Sequence, residues 1–399
     1  MTAEQATATQ AELSAPALPD RRRRVLTYSA VIILFWMSLY LYVASLPTYV
    51  QSKGIGMAAA GLVLSMFGLW QALVRVPVGI AADWLGWRQP FILGGLVLCG
   101  IGAWIMLSSS HASGLIVGRA LTGVAAGAWV PMVVAFSSLF PPKDSVRAAG
   151  FLILFQALGR IVASAANGPL NDLGGYSLAF YASIAVAALA FAIGLTVREP
   201  RRPAHRPTLR QLVNILLRKD VLLPSLLSAL GQYVTWGLAL SFIPLFTSKT
   251  LGGVNSTLSL LATLTAVTLA IGSFCTSSLA NRFGANPLVL VSFLFYFTGG
   301  LVAAFTHSIA AMVVAIVLLG LGTSLNYPTL MGLSIRKVID SERNFAMGLH
   351  QTVYAIGMFA GPALSGVLAQ YFGIQRMFAA TAVMAIVLGG LGTWALDKD

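Results

Sequence analysis

Gly79-Ile-Ala-Ala-Asp83-Trp-Leu-Gly86-Trp-Arg88 closes one long apolar run and leads into the next through a short polar turn. The pattern returns 198 residues later, where Ser277, Ala280, Asn281 and Gly284 follow another apolar run. Other landmarks repeat at an offset of 197 or 198: Pro47 with Pro244, Gly123 and Pro131 with Gly320 and Pro328, and Gly168, Gly175 and Phe180 with Gly366, Gly373 and Phe378. A glycine matching a glycine by chance is common. An ordered set of such matches is not, and it marks an internal duplication.

Around these landmarks lie twelve apolar runs, the first at residues 29–50 and the last at 375–395. Each is roughly 20 residues long, the length a helix needs to cross about 30 Å of hydrocarbon. The chain is 57% hydrophobic and only 9% charged, a balance that leaves too little charge to clothe a soluble domain of 399 residues. The expected fold is an all-α membrane protein with twelve transmembrane helices in two pseudo-symmetric six-helix bundles. Its parts are a tail at 1–24, a first bundle at 25–197, a linker at 198–222 and a second bundle at 223–396. Duplicated bundles place a cavity between the halves near mid-membrane, where rocking exposes it to each side in turn. Within the linker, Leu209, Leu212, Val213, Leu216 and Leu217 recur at helical spacing opposite Arg210, Arg218 and Lys219. That spacing fits a short helix on the membrane face, and equally an ordinary solvated linker.

The net charge of +13 raises the question of a nucleic-acid partner, which the placement of the 25 Lys and Arg residues answers. With the N-terminus inside, inner loops and tails hold 19 of them, Arg21 to Arg24 among these, whereas outer loops hold Lys53, Lys249 and Arg376. This asymmetry orients a membrane protein with both termini cytoplasmic and accounts for the charge without nucleic acid. The expected location is the cell inner membrane. The first apolar run is too long for a removable signal peptide and reads as a retained anchor. Cys99 and Cys275 lie inside apolar runs without metal-ligand spacing.

Gly79 to Arg88 resembles the signature between helices 2 and 3 of the major facilitator superfamily, and Arg119-Ala-Leu-Thr-Gly123-Val-Ala-Ala-Gly127 resembles that superfamily's helix 4 motif. The resemblance extends over residues 25 to 396 and implies an alternating-access carrier, commonly driven by a proton gradient. It implies a proton-coupling or substrate-contact role for Arg119. It also implies a gate at Gly79, Asp83, Gly86 and Arg88, in which Asp83 caps a neighbouring helix and latches the halves in the outward-facing state. The chain departs from the family where basic residues usually stand, carrying Trp84 and Trp87 there. The antiporter-type glycine and proline pattern of helix 5 appears in span 11 instead, as Gly357, Gly361, Pro362, Ser365 and Gly366; its span 5 counterparts are Gly159, Ala163 and Ser164.

An ionisable side chain within hydrocarbon costs about 2.5–3.5 kcal/mol even on a lenient scale, so each one is a functional candidate. Three qualify: Arg75, Arg119 and Arg160. Arg160 lies near the middle of span 5, while its pseudo-symmetric mate is Met358, so symmetry does not demand it. It is the leading candidate for binding a polar or anionic group of the solute. Arg75, nearer the inner end of span 2, fits snorkelling or bracing of the gate. Polar and aromatic candidates for the cavity are Trp36, Tyr40, Gln71, Gln156 and Asn167 in the first half. In the second they are Gln232, Tyr233, Trp236, Asn326, Tyr327, Gln351 and Tyr354. As a set they suit an amphipathic organic solute held by stacking and hydrogen bonds, and individually they equally suit helix packing. No carboxylate lies as deep as the arginines, which leaves Asp172 and His350 as candidates for proton coupling.

These readings favour a monomeric secondary transporter, most readily a proton-coupled exporter of a small amphipathic compound, needing no metal or other cofactor. An organic-anion carrier built on the embedded arginines is the alternative within the class, and a membrane sensor the alternative outside it. A phosphate-binding loop for an ATP-driven pump is missing, as are the histidine cluster, nucleophile elbow or embedded carboxylate pair of a membrane enzyme.

Overall fold

The computed structural model describes residues 18–141, 144–197, 218–338 and 343–396. The amphipathic segment read in the linker lies outside them. The first helix starts at Leu18, inside the stretch assigned to the tail, because nothing in the basic turn that follows interrupts helical bonding.

Twelve spans follow in chain order. α1 is Leu18–Tyr40 continued by Leu46–Ser52, α2 is Met57–Leu85, α3 is Gln89–Ser108 and α4 is Ala112–Ser137. The unbroken helical trace Ser145–Leu195 supplies α5 and α6. Its 51 residues would reach roughly 76 Å as one straight helix, more than twice a hydrocarbon layer. The chain reverses instead at Gly174 and Gly175, where Gly175 takes φ 63° and ψ −171°, a region open essentially to glycine alone. α7 is Lys219–Lys249, α8 Asn255–Phe283, α9 Ala285–Phe305, α10 Ile309–Arg336, α11 Arg343–Phe372 and α12 Ile374–Leu396. No strand occurs among the described residues.

Two apolar cores form, one centred on Phe35, Phe67, Phe136 and Phe180 of the first half and reaching Trp236 and Met358 of the second, the other on Phe242, Phe293, Tyr296 and Phe378. Large apolar side chains such as Trp104, Phe274 and Trp394 point outward, as lipid contact requires. Hydrogen bonds fasten helices within each half: Ser38 to Ser183 between α1 and α6, Thr235 to Thr323 between α7 and α10, and Asn326 to Ser292 between α10 and α9. α7 is the central span of its half, with 83% of its apolar window buried against 28% for α12.

Two seams join the halves. Along the first, α2 runs against α11, where Gly61 meets the Pro362 carbonyl and Gly366, and Gly68 meets Met358. Along the second, α5 meets α8, where Gly168 sits on Asn255 and Ser259 and the Ser259 hydroxyl donates to the Ser164 carbonyl. Both seams are tied at the face opposite the termini. There Gln370 Oε1 accepts from the Ala58 amide at 3.1 Å, Asn255 Nδ2 donates to Asp172 Oδ1 at 2.8 Å, and Lys249 Nζ donates to Gln51 Oε1 at 2.8 Å.

Candidate functional site

α1 and α7 occupy equivalent places in the duplication, and both lose regular helical bonding at the same depth. Pro47 and Pro244 each have no N–H to donate to the carbonyl four residues back. In α1, residues 41–45 form a turn in which the Leu46 amide bonds to the Val43 carbonyl instead, at 3.3 Å, before the helix restarts. In α7, Thr235–Phe242 widens into a π-helix before Ile243–Lys249 restarts with Pro244 in its first turn. Irregular backbone inside a membrane must be satisfied by neighbouring groups. Asn167 of α5 does this for α1, donating Nδ2 to the Leu41 carbonyl at 2.7 Å and to Ser45 Oγ at 3.0 Å, while Asn171 holds its Oδ1 at 3.2 Å.

Between the two breaks is a narrow cavity. The first half lines it with Tyr40, Val43, Ala44, Arg160 and Ser164, the second with Ala239, Leu240, Pro244, Ala262, Thr265 and Ala266. The guanidinium of Arg160 lies over the Tyr40 ring, 4.5 Å from its centre. Its Nε is buried and has no hydrogen-bond partner. The wall holds no carboxylate, and its remaining polar groups are the hydroxyls of Ser164 and Thr265, the latter donating to the Leu261 carbonyl at 2.8 Å.

Of the residues expected at a central site, Tyr40 and Arg160 are therefore on the cavity wall. Trp36 packs behind Tyr40 at 5.9 Å and against Trp129 at 5.3 Å, with its indole N–H unpaired. Trp236 stacks on Phe67 at 5.3 Å, ring against ring across the halves. Asn326 is spent on Ser292, and Tyr233 belongs to the core of the second half. Gln71 and Gln232 are buried off the cavity wall, and Gln156 and Gln351 are half-buried off it. Small apolar residues make up most of the wall and carry no chemical label in a sequence. Among these unlabelled residues Pro244 alone stood out in the sequence, as the mate of Pro47 in the duplication.

The other two embedded arginines go elsewhere. Arg119 is also off the wall, packed inside the first half with its guanidinium 4.5 Å from the Phe67 ring centre and beside Tyr42. Its Nε and Nη1 have no hydrogen-bond partner. Arg75 neither snorkels nor reaches solvent: it is 5% exposed and donates Nη1 across the first seam to Tyr354 Oη at 2.7 Å. The Tyr354 ring meets Tyr327 edge-on at 5.4 Å and the ring of His350 at 6.0 Å. His350 is fully buried between α7 and α11; its Nδ1 pairs with Ser225 Oγ at 3.1 Å and its Nε2 has no partner.

At the end of α2, Gly86 takes φ 60° as the helix cap, a left-handed conformation that explains glycine there, and Gly79 faces Val130 of α4. Asp83 does not cap a helix in this conformation. It is half exposed and faces Arg88 at 3.9 Å, because the N-terminus of α3 beside it is opened by Arg88 without a side-chain cap. Asp172 is exposed on the second seam and holds Asn255. Among the described residues no group of His, Cys, Asp or Glu could hold a metal ion.

A family model described as "Major Facilitator Superfamily" matches residues 28–254 and 225–399. An uncharacterized MFS-type transporter of Methanocaldococcus jannaschii is 22% identical, over 88% of this chain and 92% of its own. The multi-drug resistance efflux pump PmrA homolog of Lactococcus lactis is 25% identical, over 92% and 95% respectively. Among solved structures, a bacterial homolog of the human lysosomal transporter Spinster, in an inward-facing and unoccupied conformation, superposes with a TM-score of 0.78 at 16% identity, covering 96% of this chain and 98% of that one.

Proposed function

The chain belongs to the major facilitator superfamily and is a multi-pass membrane transporter, and on that footing we propose that it exports a small amphipathic organic solute in exchange for protons. The observation that carries this reading is the cavity at the paired breaks of α1 and α7. Wall residues come from both halves, and among the described residues the halves are tied at the face opposite the termini by the contacts of Gln51, Asp172 and Gln370, and deeper on one side by Arg75 with Tyr354. Rocking the halves about such a cavity transfers its contents from one face to the other. The excess of Lys and Arg on the terminal face makes that face cytoplasmic in the inner membrane, so this conformation is one in which an exporter loads. The efflux function printed for the Lactococcus relative supports the same direction.

In this scheme Arg160 and Tyr40 touch the solute, and Asp83 with Gly79, Gly86 and Arg88 forms the gate that engages when the cytoplasmic side closes. Asp172 sits on the seam that must open, and His350 touches the tyrosine that binds Arg75 across the other, so both are placed for proton coupling. One monomer contains the whole cavity. The test is proteoliposomes holding a pH dye, with an imposed proton gradient and a panel of amphiphiles. Solute-dependent dissipation of the gradient is expected, and its absence with measurable solute exchange would leave a carrier without proton coupling.

A further inference from the structure

Resting on the transporter reading, we propose that the cargo is a compact organic monoanion, with its carboxylate or equivalent group on Arg160 and its apolar body against Ala239, Ala262 and Ala266. Arginine does not give up its proton in a protein, so Arg160 is a fixed positive charge at mid-membrane. Its side chain is half-buried in the cavity wall, where a charge drawn out of water gains from a partner. Within the protein its contact is the Tyr40 ring, and its buried Nε donates to nothing.

Among the described residues no carboxylate lines the cavity wall or pairs with Arg160. Arg75 is answered by a neutral hydroxyl and Arg119 by an aromatic ring. Asp83 and Asp220 are paired with Arg88 and Arg218 at helix ends. A cation entering this cavity would meet fixed positive charge and no carboxylate, whereas an anion supplies the partner the fold omits. The guanidinium fork matches a planar carboxylate in bidentate geometry. The apolar remainder of the wall offers no second cation, which selects one negative charge over two. Because Arg160 belongs to the first half and the three alanines to the second, one bound molecule would draw the halves together.

The full-length protein in detergent, challenged with benzoate, salicylate and octanoate as monoanions, phthalate as a dianion, benzamide as the neutral isostere of benzoate and tetraphenylphosphonium as a cation, tests this. Thermal stabilisation by at least one monoanion is expected, and none by benzamide or tetraphenylphosphonium. Affinity should fall about tenfold or more in Arg160→Gln and recover in part in Arg160→Lys, which keeps the charge without the fork. Should Arg160→Gln not fold, the benzoate and benzamide comparison on the wild-type protein decides alone. Stabilisation by the cation or the neutral amide equal to that by the monoanions, stabilisation by no monoanion, or anion affinity unchanged in a folded Arg160→Gln would overturn the assignment of charge. Counterflow in proteoliposomes separates the two readings: cation counterflow sinks the anion assignment and keeps the transporter, whereas counterflow of no probe sinks both.

Discussion

Arg75 and Tyr354 meet across the seam of α2 and α11 as a charged donor and a neutral acceptor, both almost wholly buried. Removing the acceptor leaves a guanidinium in a dry place, so Tyr354→Phe should destabilise this conformation by about 1–3 kcal/mol. Thermal unfolding of the single variants and of the Arg75→Met/Tyr354→Phe double variant checks this; the double variant should lose less than the singles combined. Gly86 offers a second test at this scale, because its φ of 60° places any Cβ in the left-handed region. Gly86→Ala should cost about 1–2 kcal/mol, and an unchanged unfolding temperature would show that the cap relaxes freely.

A span interrupted midway has to be supported by its neighbours, and α1 relies on Asn167. Asn167→Leu keeps the volume but strips the Leu41 carbonyl of its donor, with an expected loss of about 1–3 kcal/mol. Transport should fall with it, measured as initial rate per folded molecule, because Tyr40, Val43 and Ala44 of the cavity wall stand at that break. In α7 the opposite change is informative. Pro244→Ala returns an N–H to the helix and favours straightening of the π segment Thr235–Phe242. Turnover should drop several-fold while the unfolding temperature stays level or rises. Equal turnover would show the break to be incidental to transport.

The two halves act as bodies that pivot only if the far seams can part. A short thiol cross-linker across Asp172→Cys and Asn255→Cys, in a background with Cys99 and Cys275 replaced by serine, should hold the described conformation and stop transport. Solute should still bind from the terminal face, and a cleavable linker should restore transport on reduction. Continued transport after complete cross-linking would show that opening of that seam is not part of the cycle. Asp83, half exposed here, is placed to act in the other conformation. Asp83→Asn should therefore shift spin-label distances between the halves toward the arrangement described.

Length of the apolar runs and the ordered repeats were enough, on their own, to point to twelve spans in two related bundles and to single out three arginines inside apolar runs, because each reading follows from the cost of placing backbone or charge in lipid. Pro47 and Pro244 stood in the sequence as marks of the duplication, and the breaks they make in α1 and α7 came with the structure. What the tertiary structure alone decided is the role of each buried polar group. Arg75, Arg119 and Arg160 are the same residue in similar apolar runs, yet one bridges the halves, one packs within a half and one lines the cavity. Asn326 and Tyr354 looked alike as cavity candidates until packing gave one to Ser292 and the other to Arg75. The difference lies in which helix face meets which partner across the seam. Contacts such as Arg75 to Tyr354 join residues far apart in the chain, and beside Arg160 and Tyr40 most of the cavity wall is alanine, valine, leucine and proline, whose chemistry says nothing until they are brought together.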